Sequence, residues 1–251
     1  DMFSIQTSTS KKGLQILDIK YSLGEGTNMK YRNNNQDISI SIPNTILTES
    51  YKYTLGFAVL VGILKDLSIK EIQENLSHFK SSPGRSNILK GINNSYILDG
   101  SYNASPESMN DFIKSSLKIK TSGKRILVMG EMRELGISSK QAHIDVAKTI
   151  SNNFDYIYLV GKEVKYTMNE LIAKYKVNDD KIYISNSSRE TGKLLKEKIS
   201  TGDLIIVKGS QNTVFLEECI KEILRNSQDT KLLCRQGEYW NKTKDKYFNN
   251  I

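Results

Sequence analysis

The chain has 251 residues, a formal net charge of +8, and 38% apolar against 25% charged side chains. That balance excludes wholesale disorder and collagen-like repeats, and the length exceeds one typical domain of about 100–150 residues. Its longest apolar run, the ten residues from Leu55 to Leu64, is short of the roughly 20 that a membrane helix needs. No secretory leader pattern opens the chain, and the two cysteines, Cys219 and Cys234, make neither a disulfide framework nor a four-ligand zinc site. These features predict a cytoplasmic protein without a membrane partner. The lysines are interleaved with acids and serines, so the positive balance reads as solvated surface and no nucleic-acid partner is expected.

In chain order, residues 3–42 alternate polar and apolar, as in Phe3-Ser4-Ile5-Gln6-Thr7 and Ile38-Ser39-Ile40-Ser41-Ile42. Gly24-Glu25-Gly26 and Asn33-Asn34-Asn35 punctuate them, which predicts antiparallel strands and hairpins. A buried helix is expected over 49–67 and a second over 68–79, the latter opened by a Ser68/Glu71 capping box. Ser81-Ser82-Pro83-Gly84 reads as a hinge.

From Ile88 onward the pattern becomes strand, loop, helix. Strands are predicted at Tyr96–Leu98, Ile126–Met129, Tyr156–Val160, Ile182–Ile184, Leu204–Val207 and Leu232–Cys234. Helices are predicted near 106–118, 139–151, 163–175, 188–199 and 213–225. Ser105-Pro106 supplies an N-cap and a proline at the first helical position. Ser138 with Gln141 and Ser187 with Glu190 have the spacing of capping boxes. Such alternation implies right-handed crossovers and a mostly parallel sheet. The fold class is therefore α/β, a doubly wound domain behind a mainly β and helical segment.

In open α/β sheets, ligands bind beyond the carboxyl ends of the strands. The loops leaving the strands here carry Asp99-Gly100-Ser101-Tyr102-Asn103-Ala104-Ser105-Pro106, Gly130-Glu131-Met132-Arg133-Glu134-Leu135-Gly136, Gly161-Lys162 and Lys208-Gly209-Ser210-Gln211. Together they offer carboxylates, amides, hydroxyls, a lysine and helix N-termini, which suits an anionic ligand that also bears an amine. The phosphate-loop pattern G-x-x-x-x-G-K-[ST], a dinucleotide fingerprint, a Ser/His/Asp set and a metal-ligand cluster are all missing from the sequence. His78 and His143 are expected at the surface, and no metal ligands are assigned. From these residues alone the reading is an α/β domain with a polar cleft at the strand ends.

The order of these motifs, Gly84-Arg85, then Asp99 to Met109, Gly130 to Gly136 with His143, Gly202-Asp203 and Lys208-Gly209-Ser210, resembles the Mur ligase family. These are ATP-dependent amide-forming ligases of cell-wall precursor synthesis. Within it, the Tyr102–Pro106 turn and the 130–136 loop look like the member that joins D-alanyl-D-alanine to a UDP-linked muramoyl tripeptide. The resemblance implies a Rossmann-like C-terminal domain over 85–251. It also implies that 1–84 is the distal α+β part of a central ATPase domain whose phosphate loop lies outside this chain. The chain opens at Asp1, and a fragment of a longer protein, inactive alone and monomeric, is expected.

The family reaction activates a carboxylate with ATP and Mg2+, and an amine then attacks the acyl phosphate. Carried over by position, Arg85 and Asp99 would meet the nucleotide, and Asn103, Ser105, Lys208 and Ser210 the incoming dipeptide; Glu131 and Glu134 would shape a loop or touch substrate. The catalytic residues proper would lie outside this chain. Two departures stand out: Gly100 where the family commonly has a second acid, and Glu49–Thr54 without the family's His-Asn. Alternatives are a related ligase with another acceptor and an inactive ligand-binding domain. No role is assigned to the tail from Cys234 to Trp240.

Overall fold

The computed structural model describes residues 5–6, 13–211 and 214–250. Two compact units emerge, Asp1–Ser81 with Lys118–Lys120, and Ser82–Leu117 with Thr121–Ile251.

In the first unit, β1 (Ile5–Gln6), β2 (Leu14–Ser22), β3 (Gly26–Asn33) and β4 (Gln36–Ile42) form one sheet in that order. Strands β2, β3 and β4 are an antiparallel meander, as the alternation predicts, whereas β1 joins β2 in parallel. Phe3, Ser4 and Thr7 of the first predicted strand lie outside the described residues. Asn34 and Asn35 both have left-handed backbone, φ +47° and +66°. That is the geometry of a tight two-residue hairpin, and asparagine tolerates it well. Ile38, Ile40 and Ile42 point into the core while Ser39 and Ser41 face out.

Helices α1 (Tyr51–Leu64) and α2 (Ile69–Ser77) cover the inner face. The α2 capping box is formed: Ser68 Oγ accepts the Glu71 N–H at 3.3 Å and the Glu71 carboxylate accepts the Ser68 N–H at 2.8 Å. Helix α1 departs from expectation. Leu55, Val59 and Leu60 are buried, but Tyr53, Phe57, Val61 and Leu64 are exposed. An apolar helix against a single sheet can bury only one side within its own unit.

The second unit runs β5 (Asn87–Lys90), β6 (Tyr96–Gly100), α3 (Pro106–Leu117), β7 (Arg125–Gly130), α4 (Ser139–Ile150), β8 (Tyr156–Val160), α5 (Val164–Ala173), β9 (Ile182–Ser185), α6 (Ser188–Lys196), β10 (Leu204–Lys208), α7 (Leu216–Ile223) and α8 (Glu238–Phe248). The sheet order is β5-β6-β10-β7-β8-β9, parallel throughout except for β5. The strands read as near-continuous apolar runs because both faces are covered. Helix α4 packs on α3 and α5, and α6 packs on α7. Ile126, Val128, Ile205 and Val207 share one core with Leu195, Leu216, Ile220 and Ile223.

Three local expectations are corrected. Leu232–Cys234 is not a strand: a short 3-10 segment ends at Leu232, and Leu233 is spent on burial in the core rather than on pairing. Ser138 makes no side-chain cap, because a 3-10 turn over Gly136–Ser138 already leads into α4; Ser139 Oγ instead donates to Glu163 at 3.1 Å. Ser187 does cap α6 by accepting the Glu190 N–H, but the Glu190 carboxylate takes the Ser185 hydroxyl at 2.5 Å, so the reciprocal half of the box is not made. Among the described residues, no helix is long and apolar enough to cross a membrane.

Candidate functional site

The strand order fixes where the informative loops emerge. Lys208, the last residue of β10, lies opposite Gly100 on β6 and Met129 on β7. The loops after β6, β10 and β7 therefore leave the sheet side by side, at the point where the chain order reverses. Gly130 and Gly209 let the backbones meet there: a Cβ on Gly209 would lie 3.2 Å from the Gly130 Cα and 2.5 Å from Leu216.

The loop after β6 is held from several sides. Ser105 caps α3 by accepting the Ser108 N–H at 3.3 Å, and Ser108 Oγ accepts the Ser105 N–H at 2.9 Å. Asn103 Oδ1 accepts the Ala104 N–H at 2.8 Å. The Lys208 ammonium, buried beside the Phe112 ring, donates to the Asn103 carbonyl. Gly84, at φ +74°, accepts the Tyr102 N–H on its carbonyl at 3.1 Å. A Cβ at Gly84 would stand 3.0 Å from Tyr102 and 3.1 Å from Cys234 Sγ. The Arg85 guanidinium lies 4.4 Å from the Tyr102 ring centroid, within cation–π range, with its side chain toward solvent.

Asp99 is fully buried. Its Oδ1 accepts the Ser101 N–H at 3.0 Å, and its Oδ2 has no protein partner. Burial raises its pKa above the usual carboxylate range, and the nearby Glu217 charge adds to the rise against the opposing Ser101 and Arg235. Gly100 has a steric reason to lack a side chain, since a Cβ there would be 2.7 Å from the Phe112 ring and 3.0 Å from Lys208 Cδ.

Burial likewise brings the Lys208 amine down to about 8, with the Arg85 charge acting in the same direction. Between that value and the 10.5 of an ordinary lysine, the unfolded chain binds the proton that the folded chain has lost. Stability contributed at this position therefore rises with pH across that window and is lost as pH falls through it. In urea denaturation, wild type is expected to gain stability relative to Lys208→Met between about pH 7.5 and 9.5; a pH-independent difference would refute the shift.

The expected contacts thus separate. Arg85, Asn103 and Ser105 are exposed on one loop system, Asp99 and Ser210 are buried beneath it, and Lys208 is engaged with the loop itself. Glu131 is occupied, accepting the Lys162 and Glu163 N–H groups at 2.9 and 3.1 Å ahead of α5, while Glu134 is exposed with φ +62°. His143 is not at the surface. It is fully buried, with Nε2 accepting the Met132 N–H at 3.0 Å and Nδ1 2.8 Å from the Ser139 carbonyl, and so pins the loop after β7. His78 is exposed as expected. Among the described residues, no group of three or more His, Cys, Asp or Glu is placed to hold a metal.

Behind the loop lies a buried ion cluster that no motif in the sequence announces. Arg235 donates to Glu217 at 2.9 and 2.7 Å, to the Tyr102 carbonyl at 3.0 Å and to the Ser101 carbonyl at 2.9 Å. Lys244 of α8, also buried, pairs with Glu217 at 3.1 Å and Glu218 at 3.0 Å. Burial alone would lower the Arg235 pKa, but its bonds and charge interaction with Glu217 outweigh that and the net shift is upward. The sequence trace is the acid pair Glu217-Glu218 in the first turn of α7, both buried in the fold.

Known proteins resemble this chain in both sequence and fold. The UDP-N-acetylmuramoyl-tripeptide–D-alanyl-D-alanine ligase of Bacillus subtilis is 26% identical over 233 residues, covering 89% of this chain and 48% of that protein. The ligase of the same name from Borreliella burgdorferi is 36% identical over 111 residues, covering 43% and 23%. The crystal structure of MurF ligase from Thermotoga maritima in complex with ADP superposes with a TM-score of 0.69 at 20% identity, covering 87% of this chain and 47% of that one. MurF from Acinetobacter baumannii gives 0.69 at 19%, covering 88% and 46%. The chain thus spans about half the length of the curated relatives it matches over most of its own length. The model for the Mur ligase glutamate ligase domain matches residues 84–211, which takes in the β6 loop, the pinned β7 loop and the Lys208-Gly209-Ser210 exit, and by that match the chain belongs to the Mur ligase family.

Proposed function

We propose that this chain is the closing portion of an ATP-dependent ligase that adds D-alanyl-D-alanine to UDP-N-acetylmuramoyl-tripeptide. Residues 1–84 are then the distal part of its central ATPase domain and 85–251 its C-terminal domain. The observation that carries the reading is the shared edge of β6, β10 and β7, where Arg85 lies against Tyr102 and Lys208 holds the Asn103 carbonyl. The names of the relatives support the same reaction.

The nucleotide fits Arg85, a solvent-facing guanidinium steadied by a ring, which suits phosphate oxygens. Asp99 keeps one acceptor oxygen without a protein partner, but that oxygen is buried beneath the loop, so a ribose hydroxyl reaches it only once the loop opens. When bound with Mg2+, ATP supplies the phosphoryl group that activates the substrate carboxylate. This chain's own residues bind and orient. Asn103 and Ser105 sit at the N-terminal end of α3, where the helix dipole favours the dipeptide carboxylate. Ser210 follows Lys208 at the neighbouring strand exit and adds a hydroxyl to that edge. The buried Lys208 fixes the loop backbone through the Asn103 carbonyl rather than facing solvent. Magnesium ligands and the phosphate loop belong to the preceding part of the protein, which acts as a cytoplasmic monomer.

The test is ADP release by the complete gene product given UDP-muramoyl-tripeptide, with and without D-alanyl-D-alanine. Release that depends on the dipeptide is expected. A folded protein that releases none would instead point to another acceptor or to a binding domain without turnover.

A further inference from the structure

The tail from Cys234 to α8 adds no strand to the sheet but reaches the loop after β6. Cys234 Sγ lies 3.5 Å from Ser101 Oγ, and Arg235 follows it with left-handed backbone, φ +52°, which a non-glycine side chain adopts at a cost. The guanidinium is nearly fully buried and uses its fork in two directions. One edge is paired with both Glu217 oxygens, and the other hydrogen bonds reach the consecutive carbonyls of Ser101 and Tyr102. No shorter or singly pointed cation can do both at once, because only arginine presents planar, divergent N–H donors from one rigid group. Lys244 shares Glu217 and Glu218 but makes no hydrogen bond to the loop.

We infer that Arg235 is a positioning residue for the ligase: anchored on Glu217, it locks the Ser101–Tyr102 backbone and thereby sets where Asn103 and Ser105 meet the incoming dipeptide. The kinetic part of this inference rests on the function proposed above; the structural part does not. Removing the guanidinium frees the Ser101 and Tyr102 carbonyls and leaves that stretch held by the Asp99–Ser101, Gly84–Tyr102 and Lys208–Asn103 bonds and the Cys234–Ser101 contact. Glu217 remains paired with Lys244, so the core need not be lost with it.

The experiment compares Arg235→Lys, Arg235→Ala and Lys244→Met in the complete protein, by amide hydrogen exchange across residues 101–105 and by steady-state kinetics. Both Arg235 variants are expected to speed loop exchange by about tenfold or more, a local opening, while Lys244→Met stays within about twofold there even though it lowers the melting temperature. In turnover, the Arg235 variants are expected to raise KM for D-alanyl-D-alanine about tenfold and leave KM for the UDP-linked peptide within about twofold. If Arg235→Ala does not fold, Arg235→Lys, which keeps a charge opposite Glu217, decides the matter.

Loop exchange unchanged in the Arg235 variants, or changed equally by Lys244→Met, overturns the assignment. So does a dipeptide KM that does not move in a protein that turns over. Should the wild type show no dipeptide-dependent turnover, the ligase reading fails by itself, and the exchange measurement still judges the role of Arg235.

Discussion

Glu217→Ala is expected to be among the most destabilising single substitutions in the second unit. It leaves Arg235 and Lys244 buried, with Arg235 lacking any counter-charge at hydrogen-bond distance and Lys244 reduced to Glu218 alone. Breaking a buried ion pair from one side costs roughly 3–5 kcal/mol, because the remaining charge cannot be rehydrated. In a chain of this size that corresponds to a melting-temperature drop on the order of 10 °C. Asp245→Ala is the useful contrast. Its bond to Arg189, at 2.9 Å, is at the surface, where water and salt replace most of what is lost, and the expected effect is under about 1 kcal/mol. Thermal and urea denaturation of the two variants side by side checks the prediction. Equal losses would mean that the cluster is not the structural anchor its burial implies.

The second large effect is expected in turnover rather than in stability. For the ligase proposed above, Arg85→Ala and Ser210→Ala in the complete protein should each lower the rate at least about tenfold, some 1.4 kcal/mol of transition-state stabilisation. Arg85 is exposed and lies on the Tyr102 ring, so its loss opens no internal cavity. Ser210 is buried, but its replacement removes a single oxygen. Melting temperatures close to wild type should therefore accompany the loss of rate. A change in rate of less than about twofold for either variant, on the same scale, would remove that residue from the site. Arg85→Lys is informative as well: a lysine keeps the charge but loses the planar face that lies against Tyr102, so only partial rescue is expected.

Several parts of this molecule are legible in its sequence. The second unit's strands at Tyr96, Arg125, Tyr156, Ile182 and Leu204 begin within a residue of their predicted starts, because strand, turn and helix signals are local. The Ser68 box and the Ser105 cap formed for the same reason: each needs only residues three apart. The Ser138 cap failed for a local reason, the 3-10 turn over Gly136–Ser138 that leads into α4, whereas the strand expected at Leu232–Cys234 had a distant competitor, because the apolar Leu233 found the core instead of a strand partner.

The candidate site divides along the same line. The loop residues 99–106 and 208–210 were identifiable as a set because the α/β pattern implies that strand ends share an edge. That His143 is a buried pin on the Met132 amide, and that Asp99 lies beneath the loop, depended on what surrounds each side chain.

By itself, then, the sequence determined the α/β architecture and the motifs by which the family is recognised, since periodicity, caps and turns act over a few residues. The tertiary structure alone decided that Arg235 reaches Ser101, 134 positions earlier, and that Lys244 meets Glu218, 26 positions before it. Charges so far apart in the chain carry no local pattern, and their pairing exists only once packing has excluded water from between them.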